Sequence, residues 1–265
     1  MSDKSILDSL RLNADQTRRL IVDFMREEIG KAGFSRAVMG LSGGVDSALV
    51  CFLLAEALGP ENVLALRLPY RASSPDSLEH AQMVIDHLGV EADTIDITPM
   101  AEPLITRFPD MTPLRKGNIL ARVRMIVLYD QSAAFGGLVI GSANKTETLL
   151  GYATQHGDSA AAMHPLADLY KAQVRQLARA VGVPEVIIQK PPSADLWPGQ
   201  TDEGELGFTY EDADQLLYLL VDQGRSPDEA AEAGFDRALV EKVWSQMQRT
   251  AYKRRLPLVP RLPTY

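Results

Sequence analysis

Residues 40–47 read Gly40-Leu41-Ser42-Gly43-Gly44-Val45-Asp46-Ser47, directly behind the apolar run Ala37-Val38-Met39 and ahead of Ala48, Leu49, Val50, Phe52, Leu53 and Leu54. The pattern is a buried strand, a loop rich in glycine and hydroxyls, and a helix. Glycines let backbone N–H groups approach an anion without a Cβ in the way. The helix behind them turns its positive dipole end to the same spot, and Ser42 and Ser47 offer hydroxyl donors. Asp46 is the odd member, because a carboxylate in an anion cradle repels phosphate unless a cation lies between them. The economical reading is a pyrophosphate group plus Mg2+, with Asp46 holding the metal. The Gly-x-x-x-x-Gly-Lys-Ser/Thr loop and the Gly-x-Gly-x-x-Gly fingerprint are both absent. An ordinary glycine-containing turn is the alternative, and it would require neither the serines nor the aspartate at this spacing.

Other blocks offer matching chemistry. Val139-Ile140-Gly141-Ser142-Ala143-Asn144-Lys145-Thr146-Glu147 is a second strand-to-helix turn with a hydroxyl and a carboxylate. Glu147 could complete a Mg2+ site with Asp46, since Mg2+ usually takes one or two carboxylates plus phosphate oxygens; a helix-start glutamate favoured by the dipole is the alternative. Lys171 follows Asp168-Leu169-Tyr170 at a helix start, where the dipole prefers an anion, so a cation there suggests a phosphate to serve. Arg122 and Arg124 lie on the 117–135 helix, either toward a ligand or on a solvated basic face.

The elements that must position these residues alternate. Helices are expected over 14–29, 47–58, 74–88 and 117–135, and strands over Val38–Leu41, Val63–Leu68, Thr94–Ile97 and Leu138–Ile140. Ser74 would cap the third of these helices, with Pro75 in its first turn and Gly89 after its end. Such alternation predicts parallel βαβ units and an α/β fold: a doubly wound, mostly parallel sheet with helices on both faces. Ligands would sit at the carboxyl ends of the strands, where residues 41–47 also lie. Residues 191–204 hold too many turn formers for a regular element. A lid over about 191–207 is expected, with a linker to a separate domain as the alternative. Amphipathic helices are expected over 211–223 and 236–250, followed by the basic Lys253-Arg254-Arg255. The division is one domain over 1–265: a core of about 15–190, the lid, and C-terminal helices and tail over 208–265.

Composition excludes several classes. The net charge of −8 argues against non-specific nucleic-acid binding. No apolar run reaches the roughly 18 residues of a membrane span, and Met1-Ser2-Asp3-Lys4 has no secretory character, so a cytoplasmic setting is expected. The single cysteine, Cys51, excludes an internal disulfide, and the four histidines show no metal spacing on one helix face.

The loop resembles the pyrophosphatase loop of the N-type ATP pyrophosphatases, enzymes of the adenine nucleotide alpha hydrolase-like fold. Over most of the chain the sequence is similar to the ammonia-dependent NAD+ synthetase family. The residues carrying this likeness are Gly40–Ser47, Leu66-Arg67-Leu68-Pro69, Gly117-Asn118-Ile119-Leu120-Ala121-Arg122-Val123-Arg124-Met125, Lys145-Thr146-Glu147, Tyr170-Lys171, Pro192-Ser193-Ala194-Asp195-Leu196, Thr201-Asp202-Glu203 and Lys253-Arg254-Arg255.

The resemblance implies ATP phosphates at Gly40, Leu41, Ser42, Gly43, Gly44, Val45, Asp46 and Ser47, and further ATP contacts at Arg67, Ser142, Lys171 and Ser193. It implies Mg2+ at Asp46 and Glu147, catalytic roles for Asp46 and Lys171, and deamido-NAD+ contacts at Arg122, Gln155, Asp158, Tyr252 and Lys253. It also implies a homodimer with the 117–135 helix at its interface; from the charge and the apolar runs, no nucleic-acid or membrane partner is expected. The implied reaction is ATP-dependent amidation of deamido-NAD+ with ammonia through an acyl-adenylate, releasing AMP and pyrophosphate. About 36 residues precede the first strand, too few for a glutamine-hydrolysing domain. The departures fall mainly on the dinucleotide side: Gln155 replaces a family lysine, Ala162 an aspartate, and Tyr252 a histidine, while Ser142 and Ser193 stand where many relatives have threonine. Another amide-forming ATP pyrophosphatase of the GMP synthetase kind is the nearest rival. A non-catalytic nucleotide-binding sensor is a more distant one, and it would not need both Asp46 and Glu147.

Overall fold

Four short parallel strands form the centre of the fold: β1 Ala37–Gly40, β2 Val63–Arg67, β3 Glu91–Thr94 and β4 Leu138–Ile140, in the order β3-β2-β1-β4. The computed structural model describes residues 3–193, 195, 197, 199–255, 257, 259, 260 and 262; Ala194, Leu196 and Pro198 of the expected lid lie outside the described residues. Gly40 pairs with Leu66 and Met39 with Ile140, so the carboxyl ends of β1, β2 and β4 finish level at one edge. Met163 returns to bridge Ile140 in parallel and extends that edge.

The helices are α1 Asp3–Ser9, α2 Ala14–Lys31, α3 Val45–Leu58, α4 Pro75–Leu88, α5 Thr98–Thr106, α6 Pro113–Phe135 and α7 Lys145–Leu150. They continue with α8 Lys171–Val181, α9 Glu185–Gln189, α10 Asp202–Leu206, α11 Tyr210–Leu217, α12 Pro227–Glu232 and α13 Arg237–Arg249. On one sheet face Met25, Ile29, Leu49, Leu53, Val174 and Leu177 join α2, α3 and α8 to the strands. On the other, Leu66, Ile97, Leu120 and Val127 pack α5 and α6 against β2. The two-faced parallel arrangement is the one expected from the alternating pattern. A further cluster, including Leu150, Leu216, Leu217 and Val243, holds the C-terminal helices against α7.

Most boundaries lie within one or two residues of expectation, and three elements differ by more. The third strand is Glu91–Thr94 rather than Thr94–Ile97, although the Ile95 and Ile97 N–H groups still donate to the Arg67 and Pro69 carbonyls at 2.9 Å. As an edge strand it is mostly exposed and polar, so it lacks the apolar run that marks a buried one. The long helix starts at Pro113 rather than Gly117, because the Thr112 hydroxyl accepts from the Arg115 N–H at 3.3 Å and Pro113 suits the first helical position. Asp202–Leu206, which begins inside the 191–204 stretch read as too rich in turn formers, forms α10, whose first turn is capped by the Thr201 hydroxyl. The two expected C-terminal helices appear as α11, extended by a π turn over Tyr218–Asp222, and as α13.

Candidate active site

The loop between β1 and α3 lies at the carboxyl edge of the sheet. Gly43 adopts φ +78°, and a Cβ there would stand 2.2 Å from the Ser77 carbonyl oxygen. Glycine is therefore required both by the left-handed backbone and by the close approach of α4. Gly44 is extended and is the N-cap residue of α3. The hydroxyls turn inward: Ser47 Oγ donates to the Gly44 carbonyl at 3.0 Å and accepts from the Ser42 N–H at 3.2 Å, and the two serine oxygens lie 3.0 Å apart. Val45 and Asp46 open α3, in the turn where an α-helix leaves backbone donors without intrahelical partners.

Asp46, Glu147 and Lys171 meet beside this loop. Lys171 Nζ donates to Asp46 Oδ2 at 2.5 Å and to Glu147 Oε1 at 3.1 Å. The lysine is 2% exposed, and its ammonium lies 5.1 Å from the centre of the Tyr210 ring. Burial opposes the charge on Lys171, but Asp46 and Glu147 outweigh it and hold the lysine above its ordinary range. Burial pushes the Glu147 carboxyl up, with Lys171 opposing. Nearby, Asp202 accepts from the Tyr210 and Tyr152 hydroxyls at 3.0 and 3.1 Å, and burial raises its carboxyl too.

Asn144, a residue given no role from the sequence, ties this group together. Its Nδ2 donates to Asp46 Oδ1 at 2.8 Å, and its Oδ1 accepts from the Glu147 N–H at 2.9 Å. Asn144 is fully buried and forms a capping box with Glu147. The Asn-x-x-Glu spacing ahead of a helix was the signal that could have singled it out. Glu147 therefore both caps α7 and faces the shared ammonium, so the two readings of this residue are compatible.

The remaining expected ATP contacts sit on the same edge. Arg67 ends β2; its Nη1 bonds Gln82, while its Nε is buried with no hydrogen-bond partner. Ser142 lies in the turn after β4, partly buried. Ser193 Oγ accepts from the Asp195 N–H at 3.1 Å. Asp195 is held at φ +50°, and its carboxylate accepts from the Ser74 N–H and the Ser77 hydroxyl, each at 3.0 Å. It thus caps α4, where Ser74's own side chain makes no capping bond.

The expected dinucleotide residues are gathered around 151–158. Arg122 Nη2 donates to the Gln155 carbonyl at 3.1 Å, and Asp158 Oδ1 accepts from the Thr154 N–H at 2.7 Å. Lys253 Nζ donates to the Gly151 and Ala153 carbonyls at 2.8 and 2.7 Å, and burial lowers its pKa. Tyr252 is exposed at the rim. Arg124 is not on a solvated face: its Nε donates to the Leu68 carbonyl at 3.0 Å, and burial lowers its pKa, with Asp195 and Asp158 opposing. Cys51 is buried in α3, and burial pushes its thiol up to about 12, far from a thiolate nucleophile.

The donor set suits Mg2+. Asp46 and Glu147 present hard carboxylate oxygens that converge on one cationic centre, now the lysine ammonium. Among the described residues no cluster of three or more His, Cys, Asp or Glu is placed to hold a metal ion. Among the described residues no helix is long and apolar enough to cross a membrane.

The NAD synthase family profile matches residues 17–257. The chain is 52% identical to an NH(3)-dependent NAD(+) synthetase of Trichlorobacter lovleyi, over 97% of this chain and 94% of that one. Among solved structures it resembles the NMN synthetase of Francisella tularensis, with TM-score 0.85 and 32% identity over 95% of this chain and all (100%) of the other. It also resembles the NH3-dependent NAD synthetase of Campylobacter jejuni, with TM-score 0.81 and 34% identity over 94% of this chain and 100% of that one.

Proposed function

The chain belongs to the NAD synthase family and is a ligase, and we propose that it amidates deamido-NAD+ with ammonia at the expense of ATP. The observation that carries this reading is the Asp46–Lys171–Glu147 cluster beside the glycine- and serine-rich loop at the carboxyl edge of the sheet. The nicotinate carboxylate attacks the α-phosphate of ATP, forming a carboxyl–phosphate bond and breaking the bond to pyrophosphate. The lone pair of ammonia then attacks the acyl carbon, AMP leaves with the bonding electrons, and a proton is lost from nitrogen.

No side chain has to act as a covalent nucleophile. Lys171 brings a fixed positive charge to the phosphates, and Arg67 adds the guanidinium whose Nε is unpaired. The opening N–H groups of α3 face the same charge. Asp46 and Glu147 would hold Mg2+, which when bound screens phosphate charge. Arg122, Gln155, Asp158, Tyr252 and Lys253 form the dinucleotide side. Two copies of the chain meet through α6, which exposes Ile126 and Tyr129. The reaction takes place in the cytoplasm.

The first test is mass spectrometry of products from ATP, Mg2+ and ammonium with deamido-NAD+, nicotinate mononucleotide, xanthosine monophosphate and aspartate in parallel. We expect NAD+, AMP and pyrophosphate from the first. The likeness to the NMN synthetase favours nicotinate mononucleotide as the second acceptor to weigh, and preferential amidation of it would move the reading to the shorter substrate. With glutamine as the only nitrogen source, amide formation is expected to be negligible, because the lone cysteine is buried and protonated. Efficient use of glutamine by the purified chain would overturn that expectation.

Residues 191–207 act as the lid in this reading. The described part is anchored at both ends, by Asp195 on α4 and by Asp202 on Tyr152 and Tyr210. An acyl-adenylate is readily hydrolysed, so water must be excluded during the ammonia step. Hydrogen exchange over this segment is expected to slow when ATP and deamido-NAD+ are both present. Protection unchanged by both substrates would rule the lid out.

A further inference from the structure

Lys171 is held at its backbone as well as at its head. Its N–H donates to Thr146 Oγ1 at 3.0 Å, and Thr146 Oγ1 in turn donates to Asp214 Oδ1 at 2.5 Å. The other carboxylate oxygen of Asp214 accepts from the Ala172 N–H at 2.8 Å. Lys171 and Ala172 are the first two residues of α8, whose donors have no intrahelical partners. A carboxylate at this helix start is also favoured by the dipole. Thr146 is fully buried and Asp214 is 1% exposed, so water offers no substitute partner.

Asp214 belongs to α11, in the C-terminal cluster, not to the sheet that carries the loop. Tyr210 lies one helical turn before it on the same face. The Tyr210 ring sits beneath the Lys171 ammonium, and its hydroxyl holds Asp202 of α10. One helix therefore touches both ends of the lysine and the anchored end of the lid. Thr146 stands next to Glu147, so the same hydroxyl also fixes the segment bearing that carboxylate.

We propose that Thr146 and Asp214 are positioning residues for Lys171, a relay by which α11 sets where the ammonium stands against the reacting phosphates. The inference rests on the reaction proposed above. Neither side chain need touch substrate. Charge stabilisation by a fixed donor depends on its placement, and a misplacement of about 1 Å can cost about 100-fold in rate.

The test is the rate of pyrophosphate release and the KM of each substrate in Thr146→Val, Thr146→Ser and Asp214→Asn. Valine keeps the volume and loses the hydroxyl; serine keeps the hydroxyl. Thr146→Val is expected to lower kcat about 100-fold with KM values for ATP and acceptor little changed, and Thr146→Ser to restore most of that loss. Asp214→Asn, which keeps one acceptor for two donors, should fall between. Equal losses in the valine and serine variants would assign the effect to packing and overturn the relay, as would an unchanged kcat in a folded valine variant. Should the valine variant fail to fold, Asp214→Asn carries the test: unchanged kcat there overturns the proposal. Release is followed with whichever acceptor the unaltered chain accepts. Failure to amidate deamido-NAD+ by that chain counts against the reaction, and retained kcat in the variants counts against the relay.

Discussion

Asp46→Asn is expected to stop adenylylation while leaving the fold in place. The substitution keeps the side-chain shape but removes the charge from one of the two carboxylates that share the Lys171 ammonium. It also leaves one acceptor oxygen for two donors, Asn144 Nδ2 and Lys171 Nζ, so one of the present contacts becomes donor against donor. The strands and the apolar body of α3 do not depend on this contact, since Leu49, Leu53 and Leu54 are wholly buried. A lost metal ligand beside the reacting phosphates should cost several kcal/mol. At about 1.36 kcal/mol per decade, a loss of about 4 kcal/mol is about 10³-fold in kcat. Stopped assays of pyrophosphate release at millimolar Mg2+, with circular dichroism as the check on folding, measure both parts. Near wild-type release would remove Asp46 from the metal site and leave it as a partner of the lysine only.

The part of this site that was legible in the sequence is the part encoded locally. A strand, two glycines, two hydroxyls and an aspartate at fixed spacing announce an anion loop, because the backbone geometry and the chemistry lie within eight residues. Lys171 was readable as a misfit charge at a helix start, and Glu147 as a second carboxylate beside a hydroxyl in a strand-to-helix turn. What joins them was not. The need for glycine at 43 comes from the Ser77 carbonyl in another helix, and the cap of α4 comes from Asp195, far along the chain. The Thr146–Asp214 contact links an anion-site turn to the C-terminal cluster, and no periodicity reports on such a pair. The third strand was displaced because an edge strand needs no apolar face, and α10 was hidden because Thr201 caps a helix of only five residues among glycines and prolines. Local signals thus singled out candidate residues, while the topology decided which charges confront one another.

Lys171→Met is expected to damage both activity and stability, and the two losses have different pH signatures. Removing the ammonium leaves Asp46 and Glu147 facing each other without a counter-charge, with Asp202 close by. Breaking a buried ion pair by deleting one partner costs about 3–5 kcal/mol. For a chain of this size that is on the order of 10 °C in Tm. The pair responds by keeping a proton: the Glu147 carboxyl, already raised by burial to about 7 with Lys171 opposing, rises further once that opposing charge is gone. The folded variant then binds more protons than the unfolded chain, and its stability falls as pH rises from near 4–5 through the raised folded pKa. In the unaltered chain Lys171 has its pKa raised, so its contribution is complete below the unfolded lysine value near 10.4 and is lost only as pH climbs through the higher folded one. The gap in Tm between the two proteins should therefore be small at pH 5 and widen toward pH 8. Millimolar Mg2+ should raise the Tm of the methionine variant more than that of the unaltered chain, since the cation then meets two carboxylates with no competing ammonium. Activity is expected to stay low at every pH and Mg2+ concentration, because the fixed charge facing the phosphates is gone. A variant with unchanged Tm at pH 8, or with wild-type pyrophosphate release, would show that the ammonium is neither the keystone of the carboxylate pair nor the charge that serves the phosphates.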